Sequence, residues 1–132
     1  MSYGVAAALQ AAIWQRLSTE VLLTGVAVVD ALPKGQGKGT FVLIGPEEVI
    51  DASDKTGGGA EHRLTISVIS DATGFKGAKE VAVIVSDALV DAGLVLARGR
   101  LVYLRFLRAV ARRLEDGGSR RIDLVFRARV EV

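Results

Sequence analysis

The sequence predicts an α+β fold: a mostly antiparallel sheet with two helices packed on one face, in the order α-β-β-β-α-β-β. Three observations predict it. Two segments, 2–17 and 75–92, carry apolar residues at helical spacing. Two others, 61–70 and 119–132, alternate apolar and polar residues with a period of two. Between 101–114 and 119–132 stands Glu-Asp-Gly-Gly, a strong hairpin turn signal.

In the first helix Val5, Ala8, Leu9, Ala12, Ile13 and Leu17 form the apolar stripe. Tyr3 and Trp14 fall close to the opposite side, because about 100° per residue sets Trp14 roughly 180° from Val5. Trp14 therefore reads either as a residue of a helix covered on both sides or as an exposed anchor for a neighbouring subunit. Residues 18–25 form a connector. The β-branched run 26–32 is a first strand ended by Pro33.

Residues 34–39, Lys-Gly-Gln-Gly-Lys-Gly, form a loop. Its glycines resemble a phosphate cradle, but the loop precedes a strand, so no helix N-terminus is aimed at a phosphate. The second strand starts at Thr40, is bent by Gly45-Pro46 and resumes through Val49 and Ile50. A polar loop, 54–60, leads into the third strand, where Leu64, Ile66 and Val68 face one way and Arg63, Thr65 and Ser67 the other. Gly57, Gly58 and Gly59 lack side chains that restrict φ, so this loop is expected to stay mobile until a partner orders it. The two strands and their loop make a long hairpin arm.

The second helix places Val81, Ile84, Val85, Ala88 and Leu89 at i, i+3, i+4, i+7 and i+8, with Val83 and Val90 widening the apolar surface and Gly93 placed to end it. In the last strand Ile122, Leu124, Phe126, Ala128 and Val130 share one face.

Length and composition bound the function. The 132 residues suffice for one domain with a real core, and 50% apolar content with two prolines argues against general disorder. No run approaches the roughly 18–20 apolar residues of a membrane span. The absence of cysteine removes disulfides, thiolate chemistry and cysteine-based zinc sites, and fits an intracellular setting. A single histidine, His62, makes a histidine metal site or a Ser-His-Asp triad hard to assemble. Asp51 and Asp54 with Glu61 offer carboxylates to a divalent cation, but not at EF-hand spacing. The expectation is no enzyme and no cofactor.

The net charge of +2 hides an asymmetry: residues 1–97 hold seven Lys or Arg against eleven Asp or Glu, and residues 98–132 hold ten Arg against four acids. Arginine suits bidentate pairs and interfaces, and here it alternates with apolar residues in strands. That pattern favours head-to-tail contact between copies of the chain over nucleic acid. Arg112, Arg113, Arg120 and Arg121 flank the last hairpin tip, either as a solvated arm paired with Glu115 and Asp116 or as a contact for an acidic surface. The candidate interface residues are thus Trp14, Lys34, Lys38, Asp54, Lys55, Thr56, Gly57, Gly58, Gly59, Arg112, Arg113, Arg120 and Arg121.

With these elements in place, the sequence resembles the tail-completion, or tail-terminator, family of long-tailed phages and phage-derived gene-transfer particles. The resemblance is carried by L-Q-A-A-I-W-Q-R-L (9–17), V-V-D-A-L-P (28–33), S-D-K-T-G-G-G-A-E-H-R-L-T-I-S-V (53–68), the helix from Phe75, and D-G-G-S-R-R-I-D-L-V-F-R-A-R-V (116–130). It implies an assembly protein without catalytic residues, made in the cytoplasm and carried at the head-tail junction of the particle. The implied partners are other copies of itself in a hexameric ring, the tail-tube protein and the head-tail connector. DNA crosses the lumen in transit, and no membrane is involved. Two readings compete: a nucleic-acid-binding module using the C-terminal arginine hairpin, disfavoured by 5% aromatic content, and a small carboxylate enzyme.

Overall fold

The computed structural model describes residues 2–31, 39–55, 57–71, 74–114 and 119–132. A single 3-10 turn, Ser2–Val5, leads into α1 (Ala6–Ser18), and a second, Val21–Leu23, follows it. Strands β1 (Ala27–Val29), β2 (Thr40–Asp51) and β3 (Gly59–Ser70) precede α2 (Lys76–Leu89), and β4 (Arg100–Arg113) and β5 (Arg120–Glu131) close the chain. This is the expected element order. The five strands form one sheet in the order β1-β2-β3-β5-β4. All neighbours run antiparallel except β1, which pairs in parallel with β2 over its three residues.

Sequence periodicity dictates which side of each element is buried. In α1, Leu9, Ile13 and Leu17 recur every four residues and are fully buried, together with Val5 just before them. They share one core cluster with Val42 and Ile44 of β2, Leu64, Ile66 and Val68 of β3, and the alternate residues Ile122 to Val130 of β5. We call the side of the sheet that these residues occupy the near face. α1 lies along α2 and β1, and α2 lies across β3 and β5. Thr19 ends α1, with its amide and hydroxyl both donating to the Gln15 carbonyl at 3.1 and 2.8 Å.

The second helix is rotated from the stripe read in the sequence. Ala78, Ala82, Val85, Ala88 and Leu89 are its buried residues; Val81 and Ile84 are only partly covered, and Val83 is 57% exposed. Alanine at the contact lets the helix axis approach the sheet, which leaves the larger side chains on its flanks. Nor does Gly93 end the helix. Val90 is already extended, Asp91 takes the left-handed turn at φ 56°, and its amide donates to the Leu104 carbonyl of β4 at 3.0 Å. The helix end is fixed by that bond to the sheet.

The long hairpin arm is present. β2 pairs with β3 from Thr40↔Ser70 to Asp51↔Ala60, and its register shifts between Ile44 and Glu47, at Gly45-Pro46, as the sequence predicts. β3 is buried more fully than expected, because it is central: Ser67, Ile69 and Ser70 on its C-terminal half are covered as well. On the far face Phe41, Leu43 and Ile69 make a second small apolar cluster with Val29 packed against it. β4 differs in kind. Only Leu104 is buried along it; Val102, Phe106, Leu107 and Val110 are 41–52% exposed. It is a sheet edge fourteen residues long, interrupted by register shifts at Leu101/Tyr103 and Phe106/Arg108.

Candidate functional site

Trp14 sits where the sequence places it, on the outer side of α1, and is 49% exposed. It is not free to swing: its indole N–H donates to the Val28 carbonyl of β1 at 3.1 Å. Between the two elements runs a groove of about 600 Å³, lined by Ala7, Gln10, Ala11 and Trp14 of α1, Val28 and Val29 of β1, Asp30 just after it and Ile44 of β2. Gln10 reaches across to Asp30 at 3.4 Å. Lys34 and Lys38 lie outside the described residues.

The glycine-rich loop carries hydrogen bonds of its own. The Asp54 amide donates to the Gly57 carbonyl at 3.0 Å, and the Gly57 amide donates back to Asp54 Oδ1 at 2.9 Å, a tight Asx-type turn. Thr56 lies outside the described residues, and Lys55 is exposed on the turn. The Gly59 amide donates to Ser53 Oγ at 3.2 Å, and the Val132 amide to the Gly58 carbonyl at 3.1 Å, tying the loop base to the C-terminus. None of Gly57, Gly58 and Gly59 needs a positive φ. Gly59 sits in a tight place: a Cβ there would lie 3.1 Å from the Val130 carbonyl oxygen and 2.6 Å from the movable end of the Arg129 side chain.

The four arginines at the hairpin tip do not form one cluster. Arg112 opposes Arg121 and Arg113 opposes Arg120, and a strand's two-residue period sends the two pairs to opposite faces. On the far face Arg121 Nε donates to Asp123 Oδ1 at 2.7 Å, with Arg112 at 3.7 Å from the other carboxylate oxygen. On the near face Arg120 is buried with its guanidinium 5.3 Å from the Phe75 ring centre. Arg113 is exposed. Glu115 and Asp116, expected to pair with these arginines, lie outside the described residues; Asp123 is the acid found beside them.

Asp123 and Ser67 were not singled out by sequence reasoning, because the contact joins strands 56 residues apart. Ser67 Oγ donates to Asp123 Oδ1 at 2.6 Å and accepts from Arg121 at 3.2 Å. Burial works to raise the Asp123 pKa, but the Ser67 hydroxyl, the Arg121 hydrogen bond and the charges of Arg121 and Arg112 outweigh it and hold the carboxyl below its ordinary value. A depressed folded-state pKa adds stability that is present above the unfolded value of about 3.9 and is lost as pH falls through the folded one. Asp123→Asn is therefore expected to lower the urea midpoint at pH 7, and the gap to the parent protein should close below about pH 4. A gap independent of pH would assign the loss to packing alone.

The carboxylates considered for catalysis or cation binding have other work. Asp51 accepts from Ser53 at 2.7 Å, Asp54 caps the turn, and Glu61 pairs with Arg63 at 3.0 Å and Arg127 at 3.5 Å. Among the described residues no group of three or more His, Asp or Glu side chains converges on a point. His62 is fully buried in β3, its Nδ1 3.1 Å from Glu47 Oε2. The sequence signal for that role was its place in a strand that alternates apolar residues. Among the described residues no helix is long and apolar enough to cross a membrane.

The sequence profile of the family described as "Tail completion protein gp17" matches residues 7–131. Among solved structures, the fold matches a chain from the virion of a native gene transfer agent particle with a TM-score of 0.92 and 62% sequence identity, covering 99% of this chain and 100% of that one. No curated protein matches the chain.

Proposed function

The chain belongs to the tail completion protein family, a family of structural tail proteins, and on that premise we propose that it caps the head-proximal end of a phage-like tail tube as a hexameric ring. In this reading the ring ends tube polymerisation, joins the tail to the head connector and lets DNA pass. The observation that carries the reading is the likeness, over 99% of the chain and at 62% identity, to a chain of a gene transfer agent virion. The shape of the sheet supports it: its two outer strands, β1 and β4, stand at opposite ends, and a closed ring of identical subunits needs two different contact surfaces on each.

Native mass spectrometry of the purified protein, alone and with its tail-tube partner, tests the proposal. The expected result is a six-subunit species in at least one sample. A protein that remains monomeric and ignores the tube in both would sink it. The arginine hairpin as a nucleic-acid arm is the second reading. It is weakened by the partners of Arg120 and Arg121, which leave Arg112 and Arg113 as the outward cations of the four. DNA binding at low salt that falls steeply as salt rises would revive it.

A further inference from the structure

Two places with exposed apolar side chains differ in character. One is the groove between α1 and β1, an open concavity with Trp14 on its wall and, among the described residues, Asp30 as the one charged residue lining it. The other is the outer half of β4, a sheet edge that is apolar on both sides: Phe106 lies opposite Phe126 on the near face, Val110 lies opposite Asp123 on the far face and Leu107 lies beside Arg63 and Thr65, and all three are 41–52% exposed. Strand β4 also bears Arg100, Arg105, Arg108, Arg112 and Arg113 and no acid. An exposed edge strand of this length and apolarity is a template for association, and arginine with aromatic side chains is what interfaces enrich.

Building on the ring proposed above, we infer that the β4 edge of one copy docks into the α1–β1 groove of the next, head to tail. Three observations choose a second copy as the occupant. The two surfaces stand at opposite ends of the strand order, so a chain cannot satisfy its own groove and the contact propagates around a ring. Their charges are complementary: five arginines and no acid within the edge strand itself (although Glu131 and Asp123 of β5 stand beside Arg100 and Arg112), Asp30 at the groove, and a chain whose first 97 residues carry seven basic against eleven acidic side chains. Their shapes are complementary too, since the register shift between Phe106 and Arg108 makes Leu107 a bulged residue, and the groove has room for more than one apolar side chain. Docking proceeds by side-chain insertion instead of strand addition, because the Val28 carbonyl on the three-residue β1 already accepts from Trp14.

The chain contains no cysteine, so the contact can be stapled directly. The double variant Gln10→Cys/Val110→Cys, treated with a short bismaleimide with and without tail tubes, is expected to give a ladder of cross-linked multimers ending at the ring size. Gln10→Cys and Val110→Cys alone should give none, and their mixture, combined before assembly, should give dimers. Both positions are solvent-exposed, so the variants should fold as the parent does. Cross-links within either single variant would mean a symmetric contact and overturn the inference. So would an unlinked double variant beside a parent protein that forms multi-copy species, an outcome that leaves the ring itself standing. A parent protein without multi-copy species in either condition would overturn ring and inference together.

Discussion

Replacing Phe126 by alanine is expected to destabilise the protein by about 3–5 kcal/mol, the usual cost of emptying a fully buried aromatic site. Phe126 is the largest fully buried side chain described, on the near face at the middle of β5. It faces Leu64 across β3 and Phe106 across β4, and its ring meets that of Phe106 edge-to-face, centroids 6.1 Å apart and planes at 75°. The helix α2 lies across β3 and β5 on this side of the sheet, so little around it can collapse into the gap. Since single domains have only about 5–15 kcal/mol to lose, the variant should unfold at a much lower urea concentration with an unchanged slope. Phe106→Ala, at a half-exposed position, should lose far less, chiefly the aromatic pairing worth about 0.5–1.5 kcal/mol. Equal losses in the two variants would show that Phe126 is not the centre of the core.

What was legible in the sequence is what depends on periodicity alone. Leu9, Ile13 and Leu17, and the alternation from Ile122 to Val130, state which face is buried because neighbours along one element see the same environment. The hairpin from β2 to β3 was legible for the same reason, down to the irregularity at Gly45-Pro46. The hairpin arginines show where the reading fell short. They were read as flanking the hairpin tip together, yet the two-residue period of a strand already implied that Arg112 and Arg113, or Arg120 and Arg121, point apart. What no local pattern could supply is the partner of Arg121, since Asp123 and Ser67 come together only through the pairing of β3 with β5. The same holds for the groove beside Trp14: the helical wheel exposes the indole, but only the parallel placement of β1 gives it a facing wall.

Glycine was the least legible residue, because one letter serves two different needs. Gly99 combines both, and Gly99→Ala is expected to cost at least about 2 kcal/mol. Its φ of +76° charges any L side chain about 1–2 kcal/mol of backbone strain. In addition, a Cβ there would lie 2.7 Å from the Glu131 carbonyl oxygen and 2.7 Å from Val5 Cγ2. Neither atom yields easily: the carbonyl belongs to the end of β5 where it pairs with Arg100, and Val5 is fully buried at the entry to α1. Two other glycines separate the contributions. Gly25 has φ +87° but open space around it, so Gly25→Ala should show the strain alone. Gly93 has open space and no positive φ, so Gly93→Ala should be neutral or stabilising by about 0.4–1 kcal/mol. The expected order of urea midpoints is Gly93→Ala, then Gly25→Ala, then Gly99→Ala lowest. If Gly99→Ala matched Gly25→Ala, the start of β4 would be free to shift away from α1. The angle between the strand edge and the helix groove would then be soft, and a ring closed through those two surfaces would need another element to set its curvature.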